Sequence, residues 1–420
     1  MKGILLAAVA ILIAAFCPAD GFCSDPASGS SVTFSYVSSD DLKGKVAQAL
    51  TAKDYDRAVK LLEPAVSDNP FDEELKKLLC FAYTGRGWAR LGRDDVEGGY
   101  ADLSKVSVLE AEKQAGTYLG LGFAKFRMRE YDDALSNLFE AVYLDPKDAR
   151  GHSLIGEIRY RQGDLTEAVK EWEVASGLDP EDQGVKSQLA KAKSELNVEQ
   201  GFTKRETYYF NIKYEGEERR ELGDEVLDVL HKAYSDVGGD LGYFPKQQVT
   251  VILYTRKQFN DVTDAPSWSG GVYDGTIRIP IGGRDIDRQA LAAVLYHEYT
   301  HAALHLMAGS KLPTWLDEGI AQYEERWVRE PREDLDQALF TPLSALNGSF
   351  MKIGDPAKVR QAYAESLSAV RFYVDRFGQY NLGKLVRLLG EGSDISDSFR
   401  DTTGVSFEDF GSLWSSNLGG

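Results

Sequence analysis

Residues 297–301 read His-Glu-Tyr-Thr-His, and residues 315–321 read Trp-Leu-Asp-Glu-Gly-Ile-Ala. On an α-helix, positions four apart lie ~40° apart around the axis and ~6 Å apart along it. The imidazoles of His297 and His301 can therefore converge on one ion at ~2.0–2.1 Å each. The flanking sequence supports a helix. Asp287 is placed to cap it, Leu291, Val294, Leu295, Ala302 and Leu306 recur at helical spacing, and Gly309 stops it. Glu298, next to the first histidine, points beside the ion, where a general base would stand to take a proton from an activated water.

A catalytic zinc site needs three protein ligands. An extended His-Glu-x-x-His-x-x-Gly-x-x-His pattern fails, because Leu304 and Met307 stand where Gly and His are required. Glu318 is the better third ligand. Pro313 ends a loop, Thr314 to Asp317 read as a capping box, and Glu318 then falls in the first turn of a helix running through Ile320, Ala321 and Tyr323. Asp317 is read as a helix cap. His305 would sit ~12 Å along the axis from His297 and is read as a packed or supporting histidine. His152 and His231 are read as structural.

From about Tyr208 onward the chain resembles the gluzincin peptidases, and specifically the compact peptidase MA-like domains. The resemblance is carried by 297–301, 315–321 and Tyr363-Ala-Glu-Ser366. It implies that His297, His301 and Glu318 bind one Zn2+ per chain and that Glu298 is the catalytic base. It also implies that Tyr363 helps to stabilise an oxyanion, although the lysine and glycine that follow such a tyrosine in relatives are replaced here. Gln322 falls where some relatives place an acid that orients a ligand histidine. No Gly-x-x-x-Asn signature precedes the motif, so recognition of an N-terminal amine is not implied.

The formal net charge of −18 over 420 residues argues against nucleic acid as a partner and weakly against anionic membrane surfaces. Lys2 followed by the apolar run Ile4 to Phe16 reads as a secretory signal, too short for a comfortable membrane span. We take residues 1–21 as the signal and expect a periplasmic or secreted protein with no stable span after its removal. Phe16 and Phe22 precede Cys17 and Cys23, so no lipobox is read. Cys80, among Leu78, Leu79, Phe81 and Ala82, is read as a buried inert thiol.

Residues 22–40 are serine-rich and read as a tether. Between 41 and 196 the pattern is helical and periodic. Asp145-Pro146 recurs as Asp179-Pro180 after 34 residues, and Gly122 recurs as Gly156. Ala134, Leu138 and Ala141 recur as Ala168, Trp172 and Ala175. An earlier copy, Ala58, Leu62, Ala65 and Asn69-Pro70, lies two periods plus an insertion near Gly85 to Gly99 before them. These repeats resemble the tetratricopeptide family, which implies about four helix pairs, the second irregular, and a surface for a peptide or protein partner.

Residues 197–206 read as a polar linker. Strands are expected at Tyr208–Tyr214, Val249–Tyr254 and Thr276–Ile281, with a helix at Glu221–Tyr234. Pro280 makes the third strand an expected sheet edge, where a peptide could add as a further strand. The expected fold is thus multidomain: an all-α tetratricopeptide solenoid (41–196), then an α+β gluzincin-like metallopeptidase domain (207–420). The expected activity is that of a zinc peptidase, more specifically an endopeptidase of the bacterial cell envelope. The alternative is an envelope scaffold with a slow or inactive metal domain.

Overall fold

The structure is a computed structural model and describes residues 41–109, 113–216, 220–263, 270–281, 287–309, 311–336, 339–348, 350 and 353–418. The expected signal (1–21) and tether (22–40) lie outside the described residues. The chain divides into two compact units. One holds the residues through Tyr160 plus Asp164–Lys193, and the other holds Arg161–Gly163 plus Ser194–Gly420.

The first unit is built of antiparallel helix pairs: α1 (Asp41–Thr51) with α2 (Tyr55–Asp68), α3 (Glu73–Leu91) with α4 (Val96–Leu109), α5 (Ala115–Arg127) with α6 (Tyr131–Leu144), and α7 (Ala149–Arg161) with α8 (Leu165–Leu178). Helix α9 (Gln183–Glu199) follows. The repeat seen in sequence has a physical cause in the third and fourth pairs. A Cβ at Gly122 would lie 2.6 Å from Leu138, and one at Gly156 would lie 2.7 Å from Trp172, so the paired helices cross where a side chain is missing. Asn69, Asp145 and Asp179 end α2, α6 and α8, each just before a proline that cannot continue the helix. The turn inside each pair carries one residue at positive φ: Lys53, Asp94, Arg129 and Gly163. In the second pair, where the period slips, Asp102 is buried and gripped by Arg86 through two 2.7 Å hydrogen bonds, with Arg90 at 3.0 Å. Cys80 is buried among the apolar side chains of α2 and α3.

The second unit is organised on a five-stranded sheet in the order β1-β2-β3-β5-β4. Its strands are β1 (Phe202–Glu206), β2 (Phe210–Glu215), β3 (Val249–Thr255), β4 (Val272–Tyr273) and β5 (Ile277–Ile281). The inner strands β2, β3 and β5 are parallel to one another, and the outer strands are antiparallel to their neighbours. Residues 197–206, expected as a linker, carry the end of α9 and the whole of β1. The strand at 276–281 was expected at the edge, but β5 lies between β3 and β4. β4 pairs only at Val272↔Arg278 and Tyr273↔Ile277 and stops short of Pro280, so the proline removes no bond from that side.

Alternation along the strands divides the two faces. Val251, Leu253, Ile277 and Ile279 enter the main core with α10 (Arg220–Leu241) and α12 (Arg288–Ala308). On the other face, Ile252 and Tyr254 pack with Phe259 and Val262 of α11 (Arg256–Val262). A buried polar network lies there too. The Tyr254 hydroxyl donates to Glu199 at 2.6 Å, and Arg278 donates to Tyr254 at 3.0 Å and to Glu195 at 3.1 Å. Helices α13 (Thr314–Glu324), α14 (Pro356–Phe377), α15 (Gln379–Gly390), α16 (Ile395–Thr403) and α17 (Phe407–Leu418) complete the core. Among the described residues, no helix is long and apolar enough to cross a membrane.

Candidate metal centre

Asp287 caps α12 by accepting from the amides of Gln289 and Ala290, and Gly309 ends it at φ 68°. This fixes His297, Glu298 and His301 on one rigid helix. Glu318 comes from α13, which the close crossing of α14 holds in place: a Cβ at Gly319 would stand 2.4 Å from the Ser366 carbonyl oxygen. The Nε2 atoms of His297 and His301 are 3.2 Å apart, and they lie 3.6 and 3.5 Å from Glu318 Oε2. These three side chains form a cluster able to hold a metal ion.

The donor set can be tested against such an ion. Tetrahedral bonds of ~2.0–2.2 Å place ligand atoms ~3.3–3.5 Å apart, close to the separations found. Glu318 Oε2 is buried with no hydrogen-bond partner, as an atom reserved for an ion would be. Both Nδ1 atoms face carboxylates, His297 to Glu325 at 3.1 Å and His301 to Asp317 at 3.2 Å. A proton held on each Nδ1 by these carboxylates would leave the Nε2 lone pairs facing the shared centre once an ion is bound there. The electrostatics favour positive charge. Burial opposes charge on His297, yet the carboxylates of Glu318 and Glu325 beside it push it up to about 9. Burial likewise opposes charge on His301, but Asp317 and Glu318 hold it well above the usual imidazole range. Burial works against ionised Glu318, and the two histidines nonetheless draw its carboxyl well below the usual range.

Glu298 lies beside this cluster and is 6% exposed. Burial raises its pKa, and the charges of His297 and His301 oppose the rise. Tyr363, on α14, lines the same cleft of about 670 Å³ as the three cluster residues and Glu298. Burial, then the charges of Glu318 and Glu298, raise its phenol above the ordinary range. His305 lines the cleft as well, with its ring edge-on to Tyr273 at 5.7 Å. His152 pairs with Glu171 at 2.7 Å in the first unit, and His231 packs against Phe210.

Three readings need correction. Thr314 is the first residue of α13, whose cap is Pro313, and its hydroxyl donates to the Asn347 carbonyl at 3.1 Å, so no capping box forms. Asp317 is thereby released from capping and pairs with His301. The Gln322 amide donates to the Tyr363 carbonyl at 3.0 Å and to that of Glu318 at 3.4 Å, while the carboxylate on His297 is Glu325. Glu325 was legible in principle: it follows Glu318 by seven residues, which returns it to nearly the same helical stripe.

Residues 231–420 match the family model of the Peptidase MA superfamily. The chain carries a peptidase MA-like domain behind tetratricopeptide-type repeats. Among curated proteins, the chain is 24% identical over 189 residues to the Hsp70-Hsp90 organizing protein of Triticum aestivum, a match covering 45% of this chain and 29% of that protein. The match thus spans less than a third of that relative's length. Among solved structures, the chain is similar to MamA at 20% identity, covering 37% of this chain and 84% of that one with a TM-score of 0.30. It is also similar to a thermophilic TPR protein of Thermus thermophilus, at 20% identity over 36% of this chain and 79% of that one, with a TM-score of 0.26. The peptidase MA-like domain supplies the cleft, and the repeats precede it.

Proposed function

We propose that the chain is a zinc-dependent endopeptidase of the cell envelope, with its repeats gathering the protein or peptide that is cleaved. One observation carries this reading: two imidazole nitrogens and a carboxylate oxygen converge in a cleft beside the buried carboxylate of Glu298. His297, His301 and Glu318 would hold the ion, and a set of three ligands suits a catalytic rather than a closed structural site. Zinc held there would supply Lewis acidity, polarising a water and a peptide carbonyl. Glu298 takes the proton from the attacking water and passes it to the leaving amine; its burial strengthens it as a base for this task. Tyr363 directs its hydroxyl to the developing oxyanion. Gly270 and Gly271, just before β4, let that wall of the cleft approach Val294 and Glu298 closely, which holds the Glu298 carboxylate in place. The apolar run at Ile4 to Phe16 and a ligand set free of thiolates support a periplasmic or secreted location.

The test is hydrolysis of a reduced, unfolded protein by the zinc-loaded chain and by Glu298→Gln loaded to the same stoichiometry. The variant should lose roughly 10²- to 10⁴-fold in rate. Equal rates would remove Glu298 from the mechanism. Zinc binding without cleavage by either form would favour a scaffold over an enzyme.

A further inference from the structure

The geometry points to Glu325 as the positioning residue of His297, an assignment that rests on the metal-site reading above. Helix α13 meets α12 in reverse order. His301, the later histidine, meets Asp317 at the start of α13, and His297, the earlier one, meets Glu325 just past its end. α13 and the turn that follows it thus provide the candidate ligand Glu318 and the partners of both histidines.

The chain goes to some length to place Glu325. α13 ends at Glu324, and Glu325–Trp327 tighten into a 3-10 turn. That turn is tied down on both sides. Arg326 and the Trp327 indole both donate to Asp240, the latter at 3.0 Å, and Gln289 on α12 donates to the Val328 carbonyl at 3.2 Å. Arg329 donates to Glu325 Oε2 at 3.3 Å, which leaves Oε1 to accept from the imidazole. The Glu325 side chain is 14% exposed, so water screens the contact little. Gln322 is one turn nearer to Glu318, but its amide is committed to the carbonyls of Glu318 and Tyr363. With Nδ1–H held on a carboxylate, the His297 ring keeps one tautomer and one orientation, and its Nε2 becomes a better donor to a cation.

The experiment measures zinc affinity of the full chain by chelator competition, together with the visible d–d spectrum of the cobalt-substituted form. The forms compared are the unaltered protein, E325A and the nearly isosteric E325Q. E325A should bind zinc roughly 10- to 100-fold more weakly, with E325Q in between. The cobalt spectrum of E325A should change as the His297 ring gains freedom. A residue that merely braced the turn would lower thermal stability and leave the affinity and spectrum of the folded protein unchanged. Wild-type affinity in E325Q and E325A, with an unaltered cobalt spectrum, overturns the assignment while leaving the metal site intact. An unaltered protein that binds no zinc overturns the metal site itself, and this inference with it.

Discussion

Glu298 lies against the β4 wall of its cleft, where a Cβ at Gly271 would stand 2.8 Å from its Oε1 and 2.9 Å from its Cγ. A methyl group there must displace the carboxylate. Gly271→Ala should therefore lower kcat by roughly 10²-fold, the usual cost of an ångström-scale misplacement. Its zinc affinity should be unchanged, because Glu298 is outside the proposed ligand set; steady-state kinetics beside a zinc titration would check both. Glu324 allows a different test. It is fully buried, and burial, opposed by Arg326 and assisted by Asp240, pushes its pKa up to about 8. The folded chain then holds this proton more tightly than the unfolded chain, so the stabilisation is complete below about 4.5 and is lost as pH rises towards about 8. Glu324→Gln should be more stable than the unaltered protein at pH 8, by on the order of a few kcal/mol, and the advantage should vanish near pH 4. Urea unfolding at several pH values would reveal this, and parallel pH profiles would refute it. His297, His301 and Glu298 could be read from sequence because four-residue spacing on one helix fixes their geometry. The pairing of Asp317 with His301 and of Glu325 with His297 could not, because it depends on how α13 lies across α12; spacing puts Glu325 on the stripe of Glu318 but does not name its partner.

At the scale of elements, Gly319 decides how closely α13 approaches α14. A Cβ would meet the Ser366 carbonyl at 2.4 Å and Val370 at 2.7 Å, and the first of these is backbone that cannot turn aside. Gly319→Ala should cost about 1–3 kcal/mol and shift the neighbouring Glu318, so it should lower thermal stability and zinc affinity together. Loss of neither would mean that the crossing tolerates a methyl group. The helix pairs were legible because their period rests on local chemistry: glycines at crossings, Asp or Asn at ends, prolines after them. The start of α13 was not, because Thr314 is claimed by Asn347 of a distant loop. The place of β5 was hidden by the shortness of β4, whose residues Val272 and Tyr273 show no alternation on their own.

At the scale of the whole molecule, the two units have separate cores, and the candidate metal cluster belongs to the second alone. Calorimetry should resolve a transition that moves with zinc and another that does not. At free zinc a hundredfold above its dissociation constant, the responsive transition should rise by roughly 5–10 °C. A chelator should reverse the rise, and a uniform shift of all unfolding would contradict the assignment. The charge of −18 bears on solubility and association rather than on fold, and it opposes non-specific attraction to polyanions. The most direct test of the account is metal content, measured by elemental mass spectrometry on the full chain purified without chelator, beside His301→Ala. The account predicts one zinc per chain in the first and a large loss in the second. A chain that is folded yet carries no stoichiometric transition metal would contradict it.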